Sequence, residues 1–283
     1  MTIRAVFFLL LWSAGATWTA ALPVPQAATA ELASTRKAVL DRIQRIQRAD
    51  YEGDRVALNN LYAELLEFVD EPELASRVRY WRGFAKWRRG INGFNETPTP
   101  KDLAEDFTAA ESEFAAAILR DANFVDAKVG AASCQMYRLF LEGTFSKEKD
   151  LARLKAIMSP ASQLLQEART AAPENPRLLW VMGPNEWSRP AAYGGGQEKA
   201  MDTYQRGLAA IRAQKSGGDG LEPTWGEPEL LMNLAWSNLN RTEPDLAAAE
   251  RYAQSALEIV PYWHYVRDIL LPQIHDAQKK TLK

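Results

Sequence analysis

The sequence contains one cysteine and two histidines, and this shortage excludes several kinds of site. Cys134 alone cannot form a disulfide bond within the chain, so the hydrophobic core must hold the fold. His264 and His275 are too few for a histidine-rich metal site, and neither has neighbours that indicate a catalytic triad. We therefore expect no metal ion, no cofactor and no enzymatic activity.

An excess of charge of either sign is also missing. The 283 residues include 34 Lys and Arg against 36 Asp and Glu, which gives a formal net charge of -2. Nucleic-acid binding usually needs a basic excess, so we expect no nucleic-acid partner. The hydrophobic fraction of 47% is ample for a packed core.

Long apolar runs are missing except at the N-terminus. The run "AVFFLLLWSAGA" follows the positive start "MTIR" and precedes the small residues of "TWTAAL". A membrane span needs about 20 apolar residues, so residues 1–21 are typical of a secretory signal peptide cleaved after Ala21. Cleavage after Ala30 and a retained anchor are the alternatives. We expect export to the periplasm or outside the cell, with no stable membrane insertion after cleavage.

Beyond a Pro/Ala linker over residues 22–30, the apolar pattern is helical almost everywhere. In "ELASTRKAVLDRIQRIQRAD", apolar residues recur at spacings of three and four. No stretch alternates with a period of two, and clusters of β-branched residues are scarce. The sequence predicts an all-α protein that begins with a helical pair over residues 31–74.

Four later segments repeat one pattern: a small residue, a large one four positions later, and a small one three positions after that. These positions share one helix face, so small residues let a neighbouring helix approach around a central side chain. The sets are Ala110, Phe114 and Ala117; Ala161, Leu165 and Ala168; Ala200, Tyr204 and Gly207; and Ala249, Ala253 and Ala256.

This pattern resembles the second helix of a tetratricopeptide repeat (TPR). Small residues that lie ten positions after the end of a predicted second helix match the first helix of the next repeat. The resemblance covers residues 75–263 and implies an α-solenoid of antiparallel helical hairpins, followed by a capping helix over residues 264–283. The repeats lie farther apart than the family's period of about 34 residues, so we expect long insertions in loops, including residues 142–160. A local similarity to the periplasmic TPR partners of TRAP-type transporters is also present.

Three glycines in "AAYGGGQEKA" raise the question of a phosphate-binding loop. No strand precedes Gly194–Gly196, and no Ser or Thr follows the lysine, so the requirements of a P-loop are not met. Glycine tolerates positive φ angles, so this segment predicts a compact turn.

In TPR proteins the first helices line a concave face that usually binds the ligand. The resemblance places aromatic residues there at matching positions: Tyr80, Trp87, Trp180, Trp187 and Trp236. Rigid aromatic side chains favour peptides or ring-bearing ligands. The alternative is that these rings pack between helices.

Polar candidates come from two neighbouring segments. In "RVRYWRGFAKWRRG", Arg79, Arg82, Lys86 and Arg89 share one helix face, and this stripe would either receive a carboxylate or be a solvated face. In "GPNEWSRP", Pro184 should kink or shorten a helix and present Asn185 and Arg189 near Trp187, as a ligand loop or as a structural corner.

The sequence therefore favours a non-enzymatic, exported TPR scaffold that binds a protein or peptide partner on its concave face. One alternative is an accessory protein of a transporter that binds a small solute around Trp180, Trp187 and Arg189. Another is an all-α hydrolase that uses Glu186, although barrel hydrolases need more helices than this chain supplies.

Overall fold

The structure is a computed structural model that describes residues 26–96, 99–100, 102–145, 151–214 and 219–281. These residues form eleven α-helices and no strand, so the all-α prediction is confirmed. The predicted signal peptide lies outside the described residues, and none of the helices described is both long and apolar enough to cross a membrane. The helices are α1 (Gln26–Glu52), α2 (Arg55–Glu64), α3 (Ala75–Gly93), α4 (Leu103–Arg120), α5 (Val125–Phe145), α6 (Leu151–Ala171), α7 (Pro176–Ser188), α8 (Gln197–Ala213), α9 (Glu227–Asn240), α10 (Leu246–Ile259) and α11 (Leu271–Thr281).

The helices pack in consecutive pairs. α3 packs on α4, α5 on α6, α7 on α8, and α9 on α10, while the first helix of each pair also touches the first helix of the next. Short 3-10 segments follow α2 and α7, and a π-helical segment (Tyr265–Leu270) precedes α11. α1 begins at Gln26, so part of the segment expected as a linker is helical instead.

The small residues make room for large rings between paired helices. Phe114 of α4 fits against Gly83 of α3 and Gly130 of α5, where an added methyl group would lie 2.9 and 2.6 Å from the ring. Tyr204 of α8 fits against Gly183 of α7 in the same way, at 2.0 Å. Such distances are too short for any side chain, so glycine is required where the helices meet.

One predicted insertion is not a loop. α5 continues to Phe145 and α6 starts at Leu151, so much of the segment 142–160 lengthens the two helices. α7 likewise continues through Pro184 to Ser188. For these segments, the helical periodicity of the sequence therefore predicts the structure better than the repeat length of the TPR family does.

The glycine segment forms the predicted turn. Gly194 and Gly196 have φ angles of +77° and +110°, which side chains with a Cβ rarely adopt. The backbone N–H of Gly196 donates to the carbonyl of Glu186 at 2.8 Å. The turn therefore fastens the start of α8 to the last turn of α7.

A segment that we call the strap, residues 219–226, crosses α3 just before α9. The indole N–H of Trp81 donates to the Leu221 carbonyl at 2.7 Å, and the indole N–H of Trp225 donates to the Tyr80 hydroxyl at 2.9 Å. Arg77 of α3 pairs with Glu222 at 2.7 Å. The strap therefore joins the fourth predicted repeat directly to the first.

Trp225 is the main anchor of the strap and is 4% exposed. Its ring centroid lies 5.4 Å from Phe84, 5.7 Å from Trp87 and 5.5 Å from Trp180. Edge contacts at these separations stabilise aromatic clusters beyond the burial of area alone.

Replacing Trp225 with alanine should lower the free energy of unfolding by about 3–5 kcal/mol, because a large buried ring is lost and a cavity remains. Urea unfolding followed by circular dichroism measures this loss. Trp236→Ala is the matched control, since Trp236 is 36% exposed and its removal should cost much less. Equal losses in the two variants would contradict the anchoring role of Trp225.

Candidate functional site

A cavity of about 340 Å³ lies where the first helices of the four predicted repeats meet. α3, α5, α7 and α9 all contribute lining residues, together with Tyr204 of α8 and residues after α10. Its aromatic lining consists of Phe94, Tyr137, Trp180, Trp187, Tyr204, Trp236, Trp263 and Tyr265. A shallower depression of about 400 Å³ is lined by residues of α4 alone, and one helix face cannot enclose a ligand.

The aromatic residues that line the cavity differ in their exposure to solvent. Trp187 and Trp236 meet edge to face with ring centroids 5.2 Å apart, and Trp236 is 36% exposed. Trp180 is only 8% exposed and packs edge to face against Trp87 and Trp225. Trp187 and Trp236 therefore form the open side of the cavity, whereas Trp180 belongs to the rigid core behind it.

The polar lining consists of Arg88, Asn92, Asn95, Ser188 and Asn233. Arg88 is held by a buried cluster: its Nε lies 2.7 Å from Asp50 Oδ2, and its Nη2 lies 3.8 Å from Glu229 Oε1. The Tyr51 hydroxyl donates to Glu229 at 2.9 Å, and the Asn92 amide donates to Asp50 at 3.0 Å. The cluster fixes the guanidinium in one place in the cavity wall.

Burial and the neighbouring charges shift the pKa values of Glu229 and Arg88. Desolvation raises the pKa of the Glu229 carboxyl, and the nearby negative charge of Asp50 raises it further, against the opposing charge of Arg88. Burial alone would lower the pKa of Arg88, but the attraction of Asp50 and Glu229 outweighs it and raises that pKa. Arg88 therefore stays charged, while Glu229 resists ionisation.

Burial keeps two tyrosines and the cysteine of this region protonated. Burial raises the pKa of Tyr137 to about 12 and also raises the pKa of Tyr204. Burial raises the pKa of the Cys134 thiol as well. At neutral pH these groups are neutral hydrogen-bonding or apolar surfaces rather than bases or nucleophiles.

The structure brings together three of the predicted site residues and separates the others. Trp180, Trp187 and Trp236 line the cavity. Asn185 and Arg189 are exposed near the end of α7, outside the lining, and Arg189 Nη2 lies 3.4 Å from Asn185 Oδ1.

Tyr80 and Trp87 have no exposed surface. Both rings pack against Phe114; Trp87 also packs against the strap residue Trp225, and the Tyr80 hydroxyl accepts a hydrogen bond from the Trp225 indole. The alternative expectation, that rings pack between helices, describes these two residues, and they cannot touch a partner directly.

The predicted basic stripe is neutralised within the chain. Arg79 and Arg82 both bind the Glu113 carboxylate, at 2.9 Å each. Lys86 Nζ lies 3.2 Å from Asp106 Oδ1. Because α4 supplies these carboxylates, the charges of Arg82 and Lys86 are paired within the chain, and neither residue lines the cavity.

Sequence reasoning missed Arg88, Asn233, Trp263 and Tyr265. Arg88 lies beside the stripe in sequence but on a different face of α3, where only the contacts with α1 and α9 reveal its role. Trp263 is the last residue of the predicted repeats and Tyr265 follows them, so the repeat pattern could not assign either residue to a shared surface.

Comparison with protein-family models, curated proteins and solved structures finds no match to this chain. Among the residues that the structure describes, no group of three or more His, Cys, Asp and Glu side chains is placed to hold a metal ion. The cavity is therefore the feature of the molecule from which a function can be inferred.

Replacing Glu229 with glutamine should remove one pH dependence of stability. The folded-state pKa of Glu229 is raised above 4.5, so the folded state binds the extra proton and stability falls as pH rises from 4.5 through that pKa. In the variant, the free energy of unfolding should not show this decrease with pH, and at pH 7 it should be at least as large as in the wild type. Urea unfolding between pH 4.5 and 8 measures it.

Glu227→Gln, on the same helix, is the control, because Glu227 is partly exposed and pairs with Arg212 at 2.6 Å. A Glu229→Gln variant that keeps the wild-type dependence on pH would refute the assignment.

Proposed function

We propose that this protein is a non-enzymatic, exported binding protein of TPR-like helical hairpins that holds a small solute in the aromatic cavity. The observation that carries the proposal is the convergence of α3, α5, α7 and α9 on one concave space lined by eight aromatic side chains. Ligand sites are typically concave and mostly apolar, with a few fixed polar groups, and their volumes start at about 300 Å³. The cavity meets each of these criteria.

Two features support the TPR-like arrangement within this proposal. First helices touch first helices along the chain, and the small positions of the repeat receive large rings from the paired helix. Export is supported by the N-terminal pattern of residues 1–21. A binding protein of this kind fits the role of an accessory protein that presents a solute to a transporter.

The burial of the first repeat favours a small solute over an extended peptide. A peptide lying along the concave face would need Tyr80 and Trp87, yet the strap covers them. The arginines and lysine of the stripe are also engaged by Glu113 and Asp106. What remains open is a compact cavity rather than a groove.

A protein or peptide partner is the second candidate, and the exposure of Trp236 favours it. An exposed large aromatic side chain beside a cavity is typical of residues that anchor protein contacts. Asn185 and Arg189 are exposed at the end of α7 beside Trp187, which contacts Trp236, and they would contact such a partner. In this case one side chain of the partner would enter the cavity.

Native mass spectrometry of the protein purified from its own cells should detect a bound solute. Trp187→Ala should reduce the bound fraction and weaken rebinding at least about tenfold, because the ring forms one side of the cavity. Tyr193→Ala is the control, since Tyr193 is exposed outside the lining and its loss should change nothing.

Full occupancy in both Trp187→Ala and Trp236→Ala would contradict the proposed site. Recovery of a protein partner that binds wild type but not Trp236→Ala, with no solute present, would favour the second candidate.

A further inference from the structure

Three buried donors on two residues that line the cavity make no hydrogen bond among the described residues: Nε and Nη1 of Arg88 and Nε1 of Trp180. Nε of Arg88 still lies 2.7 Å from Asp50 Oδ2 in an ion pair, so Nη1 and the indole N–H of Trp180 are the donors left for a ligand. Arg88 is 3% exposed and Trp180 is 8% exposed. Buried donors are nearly always satisfied in proteins, so an unpaired pair beside a cavity indicates where an acceptor belongs.

We propose that the solute is a ring-bearing carboxylate whose oxygens accept hydrogen bonds from Arg88 and Trp180. This inference rests on the proposed function and specifies its ligand. A carboxylate offers two oxygens with several acceptor positions, which suits two donors of different geometry.

The geometry of the two donors keeps them close together. The Arg88 guanidinium carbon lies 5.5 Å from the centre of the Trp180 ring. Nε and Nη2 of Arg88 face Asp50 and Glu229, which are not part of the lining, so Nη1 is the nitrogen left over. In the proposed complex, one small anionic group lies between Arg88 and Trp180 and meets both donors.

The charge of the wall argues against a cationic ligand. An aromatic cage can attract a cation, but here the fixed guanidinium of Arg88 already contacts the rings of Trp180 and Trp225. A second cation in the same cavity would meet a like charge in a poorly solvated space. None of the lining residues is acidic, so no carboxylate in the lining would pair with a second cation.

The remaining wall favours a flat ring. Trp187 and Trp236 meet at an interplanar angle of 65°, and their ring edges and faces offer contacts to an aromatic body. Asn233, between Met232 and Trp236 on the same helix, adds an amide that can bind a ring substituent. The carboxylate thus lies at the buried side and the ring towards the open side.

Three probes test the ligand class with the full chain. Phenylacetate carries the carboxylate, phenylacetamide is its uncharged counterpart, and phenethylamine is its cationic one. Isothermal titration should show phenylacetate binding at least about tenfold more tightly than phenylacetamide, because charge-assisted hydrogen bonds are the stronger ones. Equal binding of the acid and amide, or tighter binding of the amine, would overturn the proposal.

Trp180→Phe removes one donor and keeps a ring. It should weaken phenylacetate about tenfold and change phenylacetamide less. Trp87→Phe is the matched control: it also loses a buried, unpaired indole N–H next to Trp180, but Trp87 does not line the cavity. Equal effects of the two variants would overturn the assignment of Trp180.

Arg88→Lys should abolish the preference for phenylacetate over phenylacetamide. If this variant fails to fold, Trp180→Phe alone tests the proposed contacts with the carboxylate. If none of the three probes binds at about 10 mM, a concentration at which even weak complexes are seen, the proposal that the ligand is a carboxylate is overturned. A solute found by native mass spectrometry that is not a carboxylate would do the same and leave the cavity's role intact. The two proposals can therefore fail separately.

Discussion

The insertion of Trp225 between α3 and α7 is the contact on which the rest of the structure depends. Its ring packs against Phe84, Trp87 and Trp180, and its N–H is bound by Tyr80. Helix pairs stacked in series would otherwise touch only their neighbours. Through the strap, the start of α9 is fixed against α3, and the space left between these helices is the cavity.

Trp180 shows how one side chain serves both the core and the site. One part of its environment is the packed cluster of Trp87 and Trp225, which allows it little movement. The same side chain lines the cavity beside Arg88. A binding wall that belongs to the core is held in place before any ligand arrives, and this lowers the entropic cost of binding.

The sequence predicted the features that depend on local periodicity. The all-helical fold, the turn at Gly194–Gly196 and the close packing around Phe114 and Tyr204 follow from spacings within one or two helices. The prediction that Trp180, Trp187 and Trp236 belong to a binding surface remains a proposal, although the structure places all three around one cavity.

The features that escaped prediction depend on contacts distant in sequence. The stripe containing Arg82 and Lys86 was recognised as one face, but the carboxylates that neutralise it come from α4, and helix periodicity does not report which acids face which bases. The contacts of the strap were not predicted, because a segment without helical periodicity gives no sign of what it covers. Arg88 was missed for the same reason, since its partners lie on α1 and α9.

The buried cluster around Arg88 is difficult to explain by stability alone. Removing Asp50, Glu229 and Arg88 from water costs several kcal/mol per ion, and buried ion pairs often contribute no more than apolar residues of the same size. The raised pKa of Glu229 reflects that cost directly. An arrangement that only held α1, α3 and α9 together could use apolar side chains.

What the cluster does provide is a guanidinium with a fixed orientation, whose Nη1 makes neither a hydrogen bond nor an ion pair beside a cavity. Asp50 and Glu229 hold two of its nitrogens, so binding a ligand at the third would require little reorganisation of the protein. A surface arginine would reach a carboxylate as easily, but water would weaken the contact and many anions would compete. Burial among aromatic rings restricts the site to anions that bring an apolar body, and this is how one costly charge can give selectivity to an otherwise apolar cavity.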